Sequence, residues 1–138
     1  MEKICMGGWI FYISSEVDYF EKDKVGKWMY FFEDEERVDY LCRKAVEDGI
    51  VVEAKHSDSS EGVSCFYLNM DDYEGHRRVI EFFIENDMIR RTKAGRLYNI
   101  SFKLDAQTRA GEYGENFNAE LKLENLVNLM TGEWIYNK

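Results

Sequence analysis

The chain has 138 residues, of which 45% are hydrophobic and 15% aromatic, enough for one domain with a real core. Its 27 acidic residues outnumber 18 basic ones, giving a formal net charge of −9, and the excess runs along the whole chain instead of collecting in a tail. Such a surface argues against direct duplex nucleic-acid binding and against anionic membranes, and it favours solubility or a partner with a basic surface.

Gly7 and Gly8 precede residues 9–14, Trp-Ile-Phe-Tyr-Ile-Ser, whose bulky and β-branched side chains predict a first strand. That run is too short to span a bilayer and lacks the basic region and cleavage site of a signal peptide. Cys5, Cys42 and Cys65 show no CxxC spacing and sit in apolar company. The expectation is a cytoplasmic protein with reduced, buried thiols. Residues 15–26 are polar and read as a connection pinned by Tyr19 and Phe20, and residues 28–32 form an aromatic run that predicts a buried central strand.

Glu33, Asp34, Glu35 and Glu36 place negative charge where a helix start favours it, and Val38, Leu41, Cys42 and Ala45 follow at helical spacing. A helix over 34–48 is predicted, closed by Gly49. Residues 50–57 and 63–70 read as a hairpin around a polar turn. Asp71 and Glu74 then have capping-box spacing, and His76, Val79, Ile80, Phe83 and Ile84 supply the stripe of a second helix over 72–86. Arg90, Arg91, Lys93 and Arg96 form a basic knot around Gly95, the one local reversal of charge sign.

Tyr98, Ile100, Phe102 and Leu104 alternate with polar residues, as do Phe117, Ala119, Leu121 and Leu123, so both runs read as half-buried strands. Between them lies a polar loop over 107–116. Leu126, Val127 and Leu129 suggest a helical turn, and residues 134–136 a last strand or packed tail. The order from Trp28 onward is βαββαβ, which predicts an α+β fold with a ferredoxin-like core: a mainly antiparallel sheet, two helices on one face, an extra N-terminal strand and a C-terminal hairpin. That order also leads us to expect both acidic helix starts at one end of the sheet.

Little recognisable chemistry appears. His56 and His76 lie twenty residues apart with no HExxH or CxxC context, so no metal site is expected. A Cys65–His56 pair across the hairpin would need an accessible, activated thiolate, whereas Cys65 reads as core. No phosphate-binding glycine motif occurs, and no cofactor is expected. Thr108, Arg109 and Tyr113 could offer a hydroxyl, a guanidinium and a phenol to an anion, with Arg90, Arg91 and Lys93 joining them if the basic knot lies nearby.

Two resemblances attach to the second half of the chain. Residues 113–119, Tyr-Gly-Glu-Asn-Phe-Asn-Ala, with Thr131-Gly132-Glu133-Trp134, resemble segments of barstar-type ribonuclease inhibitors. Extra residues separate the two pieces here, and the strand alternation conflicts with that family's helix, so nothing is carried over. Residues 97–114 resemble uncharacterised small acidic proteins of Gram-positive phages and integrative mobile elements, which implies no catalytic residue.

The expected function is therefore a non-catalytic acidic binding protein, with Glu33, Asp34, Glu35, Glu36, Asp71, Asp72 and Glu74 as candidate contacts. The mobile-element resemblance implies an inhibitor of a host defence nuclease, of anti-CRISPR or anti-restriction type, because acids can occupy a cationic nucleic-acid groove. An anion or nucleotide-binding module built on the 107–116 loop is the alternative, and a small enzyme without a recognisable motif ranks third. Unpaired sheet edges and the aromatic content also suggest a homodimer.

Overall fold

A computed structural model describes residues 1–15, 18–109 and 119–137, with Thr108 and Arg109 described through their backbone. The elements are β1 (Glu2–Met6), β2 (Trp9–Ile13), β3 (Val25–Phe32), α1 (Glu35–Glu47), β4 (Glu53–Ser57), β5 (Gly62–Asn69), α2 (Tyr73–Glu85), β6 (Ser101–Leu104), α3 (Asp105–Arg109) and β7 (Leu121–Lys122). Among the described residues they make an α+β fold with one seven-stranded antiparallel sheet, ordered β1-β2-β4-β5-β3-β6-β7. No helix among these residues is long and apolar enough to cross a membrane.

The aromatic run predicted as a central strand does lie inside the sheet, between β5 and β6, but β3 begins earlier, at Val25. Trp28, Tyr12, Phe66 and Phe102 are almost completely buried, as are Val38, Leu41, Val79, Ile80 and Phe83 of the two long helices. Phe66 of β5 meets Phe83 of α2 edge-on at 5.1 Å between ring centres. Full burial of such side chains is worth about 1.5–3 kcal/mol each, so this layer between sheet and helices supplies the main driving force.

Both long helices begin and end by local chemistry legible in their sequences. Asp34 caps α1 by accepting from the backbone N–H of Arg37 at 3.2 Å. The helix closes with Gly49 in the left-handed region (φ 72°), where the Gly49 N–H reaches the Val46 carbonyl and the Ile50 N–H the Ala45 carbonyl. The cap of α2 is Asp72, one residue beyond the predicted Asp71, and it accepts from Gly75 N–H at 3.0 Å. Asp71 instead pairs with Lys24 at 2.7 Å.

Other departures have equally local causes. Two N-terminal strands replace the single predicted one, because Gly7 and Gly8 (φ 61° and 82°) form the turn of a β1–β2 hairpin, a conformation glycine adopts without steric cost. The alternation at Tyr98 and Ile100 does not continue the sheet: Leu97 N–H bonds to Leu129 and Tyr98 N–H to Arg90, so β6 starts at Ser101. Residues 105–109, of which 107–109 were predicted as loop, are helical. The strand predicted through Phe117, Ala119, Leu121 and Leu123 shrinks to β7, because residues 123–125 turn into a 3-10 helix, and the helical turn predicted at Leu126 to Leu129 lies there instead of at its predicted place. Residues 117 and 118 of that run lie outside the described residues. The tail is held by a bridge between Val127 and Trp134 and by Tyr136 stacked on Tyr73 at 4.1 Å. Cys42 and Cys65 are buried as expected, but Cys5 is exposed on β1.

One polar link crosses the core. The indole N–H of Trp28 donates to Nδ1 of His76 at 3.0 Å, so the ring proton sits on Nε2, which donates to the Met70 carbonyl at 2.7 Å. Burial pushes the His76 pKa below its ordinary 6.5, outweighing the bond to Met70 and the charges of Asp72 and Asp71. The unfolded chain therefore takes up this proton first. The contribution to stability is complete above pH 6.5 and is lost as pH falls below it toward the folded-state pKa. Denaturant unfolding of the wild type at pH 7.5 and 5.5 should show this loss, and His76→Gln, which keeps a donor and an acceptor, should reduce the difference between the two conditions.

Candidate interaction surfaces

The predicted acidic residues form two groups, not one patch. β3 and β5 are antiparallel, with Phe32 opposite Gly62 and Val25 opposite Asn69. Helix α1 follows Phe32 and α2 follows Asn69, so their starts lie at opposite ends of the sheet, about 23 Å of strand apart. The expectation of a single acidic end fails because consecutive helices here leave antiparallel strands.

The two groups also differ in what their carboxylates do. At the α2 start, Asp71 is held by Lys24, and Asp72 caps the helix while accepting the Tyr19 hydroxyl at 2.5 Å. Glu74 is exposed and lines a cleft of about 510 Å³ with Asp71, Asp72, Tyr73, Arg77 and Trp134. At the α1 start only Asp34 is committed, as the cap. Glu33, Glu35 and Glu36 enter no ion pair among the described residues. Glu61, brought back by the β4–β5 hairpin, joins Glu33 in lining an open cleft together with Phe31 and Arg90. Glu61 was not among the predicted contacts; the signal for it was the hairpin turn itself, which returns to the strand end where α1 begins.

The predicted convergence of cations does not form either. Arg90 lies at the Phe32 end of the sheet, whereas α3, which carries Thr108 and Arg109, follows Leu104, the partner of Gly26 near the other end of β3. Tyr113 lies outside the described residues. The basic loop is instead closed on itself: Arg91 donates to the carbonyls of Gly95 and Met130 at 2.6 and 3.4 Å, while Arg90, Lys93 and Arg96 are exposed. Arg96, Thr92, Tyr98 and Glu124 line a cleft of about 480 Å³ with an apolar wall from Leu97 and Leu129.

The side chains that invite a catalytic or metal reading are occupied. His56 directs Nδ1 to the Ser57 carbonyl and Nε2 to Asp39, both at 2.9 Å, and Tyr12 donates to the same Asp39 oxygen at 2.8 Å. Both nitrogens of His76 are engaged as well, so neither imidazole has a nitrogen to spare. Burial disfavours ionised Asp39, but the hydrogen bonds from His56 and Tyr12 and the charge of Lys3 outweigh it and hold the carboxyl below its usual range. Cys65 points to the opposite face of the sheet from His56, which is aligned with Ser64, and burial raises its thiol pKa. Among the described residues no group of three His, Cys, Asp or Glu side chains is placed to hold a metal ion.

No protein-family model matches the chain, and neither a curated protein nor a solved structure shows significant similarity to it.

The Asp39 cluster ties α1 to β2 and β4, so Asp39→Ala should leave the Tyr12 hydroxyl and His56 Nε2 without an acceptor. The expected loss is about 1–3 kcal/mol in chemical denaturation. Tyr12→Phe, which removes one donor and keeps the pair, should cost less.

Proposed function

We propose that the protein is a non-catalytic binding protein that acts by occupying a basic surface on a protein partner. The observation that carries this reading is the uncommitted charge at the α1 start: Glu33, Glu35 and Glu36 have no ion pair among the described residues, and Glu61 faces the same cleft beside the exposed ring of Phe31. An exposed aromatic side chain with Glu33 and Glu61 in its cleft, where Arg90 is the one cation lining it, suits a cationic, partly apolar target, with the charges governing approach and selectivity. The resemblance of residues 97–114 to proteins of phages and integrative elements extends the proposal to an inhibitor of a host defence nuclease, acting in the cytoplasm on its nucleic-acid groove. In architecture we read β3-α1-β4-β5-α2-β6 as a ferredoxin-like core; the sheet order β4-β5-β3-β6 and the helix following β3 and β5 support that reading.

A second reading rests on the Arg96 cleft, where an exposed guanidinium beside apolar residues suits a small anionic ligand. A thermal shift with nucleotide ligands that disappears in Arg96→Ala would favour it over the first.

The leading proposal is tested by affinity capture from the host and salt titration of the captured partner. Affinity should fall steeply with ionic strength. Glu33→Lys/Glu61→Lys should weaken binding by about tenfold or more, since removing and reversing two contact charges is worth at least about 1.4 kcal/mol. Glu74→Lys, at the far end of the sheet, should change it little. Salt-indifferent binding, or equal loss from both variants, contradicts the assignment to the α1 end.

A further inference from the structure

The sheet turns Tyr12, His56, Phe66 and Trp28 toward the two long helices, where each meets a residue of α1 or α2 or packs beside one that does. Alternation then puts Phe11, Lys55, Cys65 and Met29, aligned across β2, β4, β5 and β3, on the opposite face. The next row on that face runs Met6, Trp9, Ser57, then Val63 and Phe31. An antiparallel sheet with helices on one side usually turns polar side chains outward on the other. Here that side carries rings and thioethers, with Met6 and Phe31 exposed to 66% and 58%. Met6 and Phe31 stand at opposite ends of that row, and beside Met6 the half-buried rings of Trp9 and Phe11 make an apolar patch that marks an interaction surface.

Lys55 stands inside this patch. Its ammonium lies 4.0 Å from the centre of the Trp9 ring, 5.4 Å from Phe11 and 5.9 Å from Tyr67. It has no hydrogen bond or ion pair among the described residues, whereas Lys27 on the same face is held by Asp105 at 2.9 Å. Glu53, two residues away on the same strand, stays beyond pairing distance and is itself half-buried, which raises its carboxyl pKa. Covering the rings would take the Lys55 ammonium out of water, and a wholly apolar cover would leave that charge unpaired. A second copy related by a two-fold axis through this patch would set Lys55 against Lys55. A nucleic-acid strand would bring a row of phosphates up to a chain of net charge −9, whereas a segment with one carboxylate brings a single charge to the Lys55 ammonium.

We propose that the Trp9–Phe11–Lys55 corner of the sheet face turned away from α1 and α2 is a docking surface for a partner segment carrying an aspartate or glutamate among apolar side chains, the carboxylate on Lys55 and the apolar groups on Trp9 and Phe11. This surface is distinct from the acidic α1 end and selects the opposite charge, so either assignment stands or falls without the other.

The test is a ¹⁵N-resolved titration of the whole chain with N-acetyl-Leu-Asp-Phe-amide and its asparagine counterpart. The aspartate peptide should give saturable shifts at the Trp9 indole and at the backbone of Phe11 and Lys55. The asparagine peptide should bind about tenfold more weakly, as should the aspartate peptide to Lys55→Gln, with affinity recovered in Lys55→Arg. Equal response to the two peptides, no saturable response, or shifts that bypass Trp9 overturns the proposal. It is overturned too if an oligothymidylate displaces the peptide from this face, or if sedimentation shows a dimer whose formation occludes it.

Discussion

The indole N–H of Trp28 needs an acceptor, because it sits at zero exposure in a central strand. His76 supplies it through Nδ1, and the other ring nitrogen is anchored on the Met70 carbonyl. One imidazole thus joins β3, the start of α2 and the chain leaving β5. The rings of Trp28, Phe102 and Tyr73 pack edge-on around it at 4.9 to 5.8 Å, which extends the link to β6 and, through Tyr73 and Tyr136, to the C-terminal tail. The arrangement requires a neutral histidine: a proton on Nδ1 would set two donors against each other in an apolar site.

The same economy governs the other reactive-looking groups. His56 spends both nitrogens on Ser57 and Asp39, holding α1 against β2 and β4, and Cys42 and Cys65 fill space. Both histidines are therefore drawn inward as ties between layers, while the described surface carries charged side chains, aromatic rings and the exposed thiol of Cys5. That surface is uneven. The α1 end holds Glu33, Glu35 and Glu36, which have no ion pair among the described residues, the α2 end holds acids largely consumed by Lys24, Tyr19 and the helix cap, and the face turned away from α1 and α2 holds rings around Lys55.

Elements governed by local rules were legible from residues alone. Asp34 and Gly49 bracket α1 because capping and left-handed closure are nearest-neighbour effects, and the β4–β5 hairpin follows from its polar turn. Elements governed by distant pairing were not. Tyr98 and Ile100 alternate as a strand should, yet their N–H groups donate to Arg90 and to Tyr98, contacts that periodicity does not encode, and only the Ile100 carbonyl reaches the following strand, through Leu123 N–H. β1 escaped notice because Glu2 and Lys3 dilute its apolar pattern, and an edge strand needs only one apolar side. The candidate acids were found by type, but their separation was misjudged, since it depends on strand direction across the sheet. Glu61 and Lys55 gain meaning only once hairpin and register bring them beside Phe31 and Trp9.

The central claim is that both imidazoles are committed within the fold. Histidine carbethoxylation followed by mass spectrometry addresses it directly, because the reagent attacks an unprotonated, accessible ring nitrogen. In the native protein His56 and His76 should both resist modification, and both should react once the chain is unfolded in denaturant. Rapid native-state modification of either histidine would mean that a ring nitrogen is available for chemistry, and would contradict the account.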